Sequence, residues 1–153
     1  MQGRLSKPQN DKIQSFPIKN WEQEFKLASE IGFSFIEWVI DSMEIEINPL
    51  LSVVKRKKIK KLSEEYNLSI PAVCHDQLID IPLHSKDDST SKSAISIMHD
   101  TMNACESLGI QFIEIPLVGN GSLSDNADIE KFIKQISSLD KKAKEFGIHF
   151  ILE

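Results

Sequence analysis

The chain closes with Gly147-Ile148-His149-Phe150-Ile151-Leu152-Glu153, in which a helix-ending glycine leads into a short apolar strand with an acid at its tip. Residues 32–38 (GFSFIEW) and 109–115 (GIQFIEI) repeat the pattern, and residues 67–74 (NLSIPAVC) form a looser copy that begins with asparagine. Glycine and asparagine tolerate the left-handed conformation that ends many helices. The four residues lie 35, 42 and 38 positions apart, which predicts a repeated unit of strand and helix.

Strands that alternate with helices predict an α/β fold with a parallel sheet and right-handed crossovers. Five strands are predicted, over residues 1–5 (the end of a strand), 33–40, 68–74, 110–115 and 148–153. Two architectures fit, an open flavodoxin-like sheet and a partial (β/α)₈ TIM barrel with about strands 1–5 and helices 1–4. A whole barrel usually needs about 250 residues. The chain starts within one predicted strand and stops on another, which favours residues 1–153 as a single domain, the N-terminal part of a barrel truncated after strand five.

Four amphipathic segments give the predicted helices. The first begins after Asn20, a good N-cap with Gln23 three residues later, and the second begins at Asn48-Pro49. The fourth begins near Ser124. The residues expected to face the core have helical spacing. They are Trp21, Phe25, Ala28 and Ile31; Leu51, Val54, Ile59, Leu62 and Tyr66; Ala94, Met98, Met102, Cys105 and Leu108; and Ile129, Phe132, Ile136, Leu139, Ala143 and Phe146.

The composition is that of a folded protein in water. Of 153 residues, 41% are hydrophobic and 27% charged, which excludes a disordered chain. The net charge of −5 argues against a nucleic-acid or anionic-membrane partner. No apolar run approaches the roughly 18 residues of a membrane span. Cys74 and Cys105 are isolated in the sequence, so we expect free thiols in a reducing cytoplasm.

Candidate functional residues follow the predicted strands, because parallel strands place function at their carboxyl ends. Glu37, Glu114 and Glu153 interrupt otherwise apolar strands. An unpaired buried carboxylate costs several kcal/mol, so each is expected to face a strand-tip cavity or to have a partner. His75 is either a ligand or substrate contact, or a histidine bonded to loop backbone. The residues at the predicted strand ends are Arg4, Trp38, Asp41, His75, Asp76, Gln77, Pro116 and Glu153.

Two other features carry weaker signals. Residues 119–122 (GNGS) could cradle a phosphate through backbone N–H groups, but a lone glycine pair is more typical of a plain turn. His84, His99 and His149 belong to no cluster in the sequence and are expected to be structural or exposed.

The sequence resembles the opening of bacterial sugar phosphate isomerase/epimerase proteins of the xylose-isomerase-like TIM barrel superfamily. The resemblance extends over essentially the whole chain. It is carried by residues 1–6 (MQGRLS), 13–17 (IQSFP), 21–25 (WEQEF), 31–38 (IGFSFIEW), 48–50 (NPL), 73–76 (VCHD), 82–83 (PL), 115–117 (IPL) and 152–153 (LE).

That resemblance implies an isomerase or epimerase of carbohydrate metabolism that acts on a small sugar or sugar phosphate. Glu153 matches a strand-five glutamate that binds a divalent metal and can also act as acid and base, with the remaining ligands on strands six to eight. The reaction would transfer a proton through an enediolate. Mn²⁺ or Mg²⁺ would suit oxygen ligands, and an added histidine, His75, would also suit Co²⁺ or Zn²⁺. From position alone, Arg4, His75, Gln77 and Glu37 are predicted to contact the substrate.

Two alternatives stay open at this stage. His75-Asp76 resembles a metal-binding pair of endonuclease-IV-like DNA-repair phosphodiesterases, although residues 116–118 (PLV) hold no histidine where those enzymes have one. A non-catalytic truncated barrel is the other, since one candidate ligand does not make a metal site. The open edges of a truncated barrel would make the chain self-associate into a homo-oligomer or leave it marginally stable.

Overall fold

The computed structural model describes residues 5–6, 15–43 and 45–153. These residues form five α-helices and four β-strands, with three short 3₁₀ turns. In chain order the elements are α1 (Trp21–Ile31), β1 (Trp38–Val39), turns at Ile45–Ile47 and Pro49–Leu51, α2 (Val53–Glu65), β2 (Ala72–Cys74), α3 (Gln77–Asp80), α4 (Asp88–Leu108), β3 (Phe112–Ile115), a turn at Gly119–Gly121, α5 (Asn126–Phe146) and β4 (His149–Leu152). Within the described ranges, every helix is too short or too polar to span a lipid bilayer.

The four strands form one parallel sheet in the order β1-β2-β3-β4. An open flavodoxin-like sheet would reverse its strand order at a switch point, whereas a barrel adds each strand beside the last. The sequential order therefore confirms the α/β fold and the partial-barrel prediction. The predicted strand over residues 1–5 lies, except for Leu5, outside the described residues.

The helix-ending residues have the conformation that the sequence predicts. Gly32, Gly109 and Gly147 have φ of 91°, 72° and 66°, and Asn67 has φ of 52°. In each case the amide of the following residue donates a hydrogen bond to a carbonyl of the helix, as Ile148 N does to Ala143 O at 2.8 Å. A left-handed residue turns the chain out of the helix and points it directly into the next strand.

The hydrophobic core lies between the sheet and its helices. Trp38 is fully buried, and its ring centroid lies 5.0 Å from that of Phe16 and 5.9 Å from that of Trp21. Its indole Nε1 donates to Asn48 Oδ1 at 3.1 Å, and the Asn48 amide donates to Val39 O at 3.1 Å. Asn48 thus satisfies the polar groups around a buried aromatic ring, which a polar residue must do to be buried.

Several predicted boundaries were wrong. The strand predicted over 33–40 is reduced to β1, and Phe33 and Phe35 are 54% and 60% exposed, so this segment is not covered on both faces. The second helix starts at Val53 rather than at Pro49, because Pro49–Leu51 forms a separate turn and Ser52 caps α2. That shift turns Val54, predicted to be buried, outward.

Four further details of the helices differ from prediction. Ile31 and Ile129, expected in the core, are exposed. Asn20 makes no side-chain capping bond. The loop predicted after Cys74 contains α3, a single helical turn held by a bond from Gln77 N to Ile40 O at 3.0 Å.

Candidate active site at the carboxyl ends of the strands

Alternation along the strands gives the sheet an inner face, opposite to the helices. Val73 and Ile113 pair in register and join the core beneath the helices. Their neighbours Cys74 and Glu114 also pair in register and therefore point the other way. Cys74 is buried and Glu114 half-buried, so this inner face is partly shielded from solvent where the strands end.

Three carboxylates lie on the inner face, with Glu37 just before β1, Glu114 within β3 and Glu153 just after β4, and we call them the carboxylate cluster. Glu114 shares a side-chain hydrogen bond with Glu153 and lies close enough to Glu37 to feel its charge. Burial raises the pKa of Glu114 above its ordinary value, and the bond to Glu153 and the charges of Glu37 and Glu153 raise it further. The neighbouring Cys74 thiol opposes these effects and lowers the pKa of Glu114.

The backbone fixes the position of Glu153. Its amide donates to Ile115 O at 3.2 Å, and its carbonyl accepts from Leu117 N at 2.7 Å. Glu153 is therefore held beside the end of β3, where Glu114 lies. The side chain of Glu153 remains exposed, so it combines a fixed backbone with access from solvent.

Cys74 is paired with Asp76 at the tip of β2. The thiol donates to Asp76 Oδ1 at 3.1 Å. Burial raises the pKa of Cys74, and the bond to Asp76 and the charges of Asp76 and Glu114 raise it further. Cys74 is therefore a protonated donor at neutral pH and not a thiolate nucleophile.

His75 lies on the opposite side of the sheet from the carboxylate cluster. It is fully buried, and its Nε2 lies 3.1 Å from Thr101 Oγ1 on α4. Burial lowers the pKa of His75 to about 4, so the ring is neutral at neutral pH. Within the described residues its Nδ1 has no hydrogen-bond partner. The two side chains of the His75-Asp76 pair thus point in different directions, one to a helix and one to Cys74.

The other residues predicted to contact the substrate are Glu37, Gln77 and Arg4. Glu37 belongs to the carboxylate cluster. Gln77 is 7% exposed, and its Oε1 has no hydrogen-bond partner in the described part of the chain. A buried oxygen left unpaired costs about 1–3 kcal/mol. Arg4 lies outside the described residues.

The described residues by themselves do not complete a metal site. Over residues 5–6, 15–43 and 45–153, no group of three or more His, Cys, Asp or Glu side chains is placed to hold a metal ion. Glu153 offers one accessible carboxylate, and His75 faces away from it. A cation at this edge of the sheet would need further ligands.

The sequence singled out Asp76 as a residue at a strand end but did not predict its contact with Cys74. Alternation along a strand could not predict this contact, because β2 ends at Cys74 and Asp76 already has the backbone angles of a helix. Which residues of a strand face the helices depends on where the strand lies relative to those helices. The apolar run over residues 68–74 does not reveal which of its side chains face them.

A family model described as xylose isomerase-like TIM barrel matches residues 25–153. The L-ribulose-5-phosphate 3-epimerase UlaE of Salmonella heidelberg (strain SL476) is 26% identical over 96 residues, which cover 62% of this chain and 34% of that protein. The match therefore spans about a third of the length of this relative.

Solved structures share the fold. The D-psicose 3-epimerase of Clostridium cellulolyticum H10 superposes with a TM-score of 0.70 at 17% identity, over 87% of this chain and 46% of that one. A xylose isomerase-like TIM barrel protein from Mycobacterium smegmatis in complex with magnesium gives a TM-score of 0.64 at 16% identity, over 89% and 47%. At these identities the likeness concerns the fold alone. The match over residues 25–153, together with the sequential parallel sheet, shows that the chain belongs to the xylose isomerase-like TIM barrel family.

Proposed function

We propose that this chain is part of a divalent-metal-dependent isomerase or epimerase that acts on a sugar or sugar phosphate. The observation that carries the proposal is the proximity of Glu114 and Glu153 at the carboxyl ends of β3 and β4, where barrel enzymes perform their chemistry. The epimerases among its relatives support the same class of reaction. Because the chain spans under half of those solved proteins, the activity is proposed for the barrel to which it contributes.

Glu153 is proposed as the catalytic base and acid. An exposed carboxylate with a fixed backbone suits removal of a proton from the carbon beside a carbonyl group. The electrons left behind form an enediolate, and return of the proton to the other face or the neighbouring carbon gives the epimer or the isomer. Glu114, with its raised pKa, would keep a proton beside Glu153 and orient its carboxylate.

Substrate contacts are proposed for the residues that the sequence singled out. Glu37 can accept hydrogen bonds from sugar hydroxyls, and Gln77 is kept as a contact predicted from its position in the sequence. Arg4 is retained from the sequence as a contact for substrate oxygens. The position of His75 against α4 favours a structural role, so its predicted part as substrate contact and metal ligand stays a prediction.

A divalent metal is proposed, with Glu153 as the ligand that this chain supplies. When bound, Mn²⁺ or Mg²⁺ would polarise the substrate oxygens and acidify the neighbouring C–H; Co²⁺ or Zn²⁺ would need a nitrogen ligand. The remaining ligands would come from other strands, as the family resemblance implies. We expect no turnover from residues 1–153 alone.

The test is an epimerisation assay of the complete barrel protein on ketoses and ketose phosphates, with and without EDTA. Glu153→Gln should lower kcat by at least about a hundredfold, as expected for loss of an acid/base group. Glu145→Gln, an exposed glutamate on α5, is the matched control and should leave kcat unchanged. Activity that survives both EDTA and Glu153→Gln would refute the proposal.

The phosphodiesterase alternative gains no support from the geometry. It was motivated by His75-Asp76, whose side chains contact Thr101 and Cys74 respectively. Nicking of abasic DNA by the complete protein would revive it.

A further inference from the structure

A groove runs between α2 and α4 on the outer surface of the molecule. It consists of two adjoining cavities. The smaller, of about 160 Å³, is lined by Val53, Arg56, Lys57, Lys60, Ser107 and Leu108. The larger, of about 380 Å³, shares the last three of these residues and continues past Ile59 and Ile70 to Gly109. We call the two cavities together the helix groove.

The helix groove is separate from the proposed active site and from the open edges of the sheet. Ile70 and Gly109, which line it, come just before β2 and β3, whereas Glu114 and Glu153 lie where β3 and β4 end. The strands β2 and β3 are the two central strands of the sheet. A strand added at either edge would therefore leave the helix groove uncovered.

The wall of the groove that α2 supplies is strongly basic. Residues 55–61 (KRKKIKK) hold six cations in a chain whose net charge is −5. Among the described residues, only Lys58 of these six forms an ion pair, with Glu22 Oε2 at 3.3 Å, and Lys58 does not line the groove. Cations one helical turn apart, such as Lys57 and Lys60, repel each other. A bound carboxylate would relieve this repulsion.

Arg56 is held in place by neutral partners. Its Nη1 donates to Ser107 Oγ at 3.0 Å and to Asn103 O at 3.4 Å, both in the last two turns of α4. The side chain is only half-buried. Because neither acceptor is charged, these bonds fix the guanidinium group and leave its positive charge available to an acid. An ordered guanidinium loses less side-chain entropy on binding a carboxylate than a mobile lysine does.

The lining beside these cations is aliphatic. Val53 is 69% exposed, Leu108 is half-buried, and Ile59 and Ile70 form the buried floor. No aromatic side chain is among the described residues that line the groove, so the bases of a nucleic acid would find nothing to stack on. A membrane surface is too flat to enter the groove. A polypeptide segment with both acidic and aliphatic side chains matches this lining.

We propose that the helix groove docks an acidic, amphipathic segment of a partner protein. Aliphatic side chains of the segment would cover Val53 and Leu108, and its carboxylates would pair with the three cations of the α2 wall. The groove follows α2 for about 16 Å, the length of a helix of about eleven residues. Glu64, which lines only the larger cavity, would repel acids there and so fix the direction of the segment. This docking does not depend on the proposed catalytic function.

The test uses the ¹⁵N-labelled chain and three blocked peptides that differ only in charge, LEELLEELLEEL, LQQLLQQLLQQL and LKKLLKKLLKKL. The acidic peptide should shift the amide signals of Arg56, Lys57, Ser107 and Leu108 saturably, with a Kd on the order of 100 μM. The neutral peptide should bind at least about tenfold more weakly, and the basic peptide should not bind. Raising NaCl from about 20 mM to about 300 mM should weaken binding of the acidic peptide by at least about fivefold, because salt screens exposed charges.

Paired substitutions separate the groove from the general surface charge. Lys57→Gln/Lys60→Gln should weaken binding of the acidic peptide by at least about tenfold. Lys134→Gln/Lys141→Gln, at two exposed lysines of α5, removes the same charge and should change binding by less than about twofold. Lys57 and Lys60 are exposed, so both double variants are expected to fold, which circular dichroism verifies.

A second pair of variants tests the aliphatic contact. Val53→Ser should weaken binding of the acidic peptide by about threefold, because it removes apolar surface that the peptide would cover. Val54→Ser, at the neighbouring valine, is the matched control. Val54 is 78% exposed and does not line the groove, so binding should be unchanged.

Three results would overturn the inference. The first is the absence of saturable shifts in α2 and α4 up to about 1 mM acidic peptide. The second is equal binding of the acidic and neutral peptides, which would show that the cations play no part. The third is tighter binding of oligothymidylate or of phosphatidylglycerol vesicles that Lys57→Gln/Lys60→Gln abolishes, which would make α2 a nucleic-acid or membrane contact. None of these results bears on the carboxylate cluster, which is tested by epimerase activity.

Discussion

His75 Nε2 lies 3.1 Å from Thr101 Oγ1, and both residues are fully buried between the tip of β2 and the middle of α4. The contact joins the sheet to α4, one of the two 21-residue helices of the chain. It also orients the imidazole away from the carboxylate cluster. Its consequences for stability can be measured directly.

Thr101→Val should destabilise the chain by about 1–3 kcal/mol, because the near-isosteric valine leaves the ring of His75 without its hydrogen bond in a buried site. Urea unfolding followed by circular dichroism measures the change. Ser96→Ala, an exposed position on the same helix, should cost less than about 0.5 kcal/mol. Equal effects of the two substitutions would show that the His75–Thr101 bond contributes nothing.

His75 should make stability fall as the solution is acidified. Its pKa is lowered from 6.5 to about 4 in the folded chain, so between these values the unfolded chain binds more protons than the folded one. The stability that is fully present above pH 6.5 is lost progressively towards pH 4, by up to about 3 kcal/mol. His75→Asn should flatten this part of the pH profile of urea unfolding, whereas His149→Asn, at an exposed histidine, should not.

Glu114 should make the chain less stable as the pH rises, which is the opposite of the effect of His75. Its pKa is raised by burial and by the carboxylates of Glu153 and Glu37, so protons bind the folded chain more readily than the unfolded one. This contribution is present below pH 4.5, the ordinary value, and is lost as the pH rises through the raised value.

The measurement compares Glu114→Gln with the parent chain. Glutamine keeps a donor for Glu153 and removes a charge, so the variant should be more stable than the parent at pH 8 and lose that advantage at pH 4. Glu106→Gln on α4 is the exposed control. A variant less stable than the parent at pH 8 would contradict the electrostatic account.

The residues that end the helices should respond in opposite directions. Gly109→Ala places a side chain at φ of 72° and should cost about 1–2 kcal/mol. Asn67→Gly, at φ of 52°, should stabilise the chain by a few tenths of a kcal/mol, because glycine adopts this conformation without strain. Thermal unfolding of both variants measures the two effects. Asn103→Gly is the control: it places glycine in the interior of a helix and should destabilise the chain by about 1 kcal/mol.

The elements of this fold could be predicted from local sequence where one residue has a strong conformational preference. Gly109 and Gly147 end helices because few other residues accept a positive φ, and that property does not depend on the rest of the molecule. Prediction failed where packing decides. The apolar run 33–40 looks like a buried strand, but the described chain places nothing over Phe33 and Phe35.

In the candidate site, too, some features could be predicted from the sequence and others depend on packing. The sequence by itself determined that Glu37, Glu114 and Glu153 interrupt apolar segments of one parallel sheet. Only the tertiary structure decided that Glu114 and Glu153, 39 positions apart in the chain, share a hydrogen bond, and that His75 turns towards Thr101. The helices decide which residues of each strand are buried, because they cover one face of the sheet. This is a long-range property, since it depends on how the helices pack against the sheet.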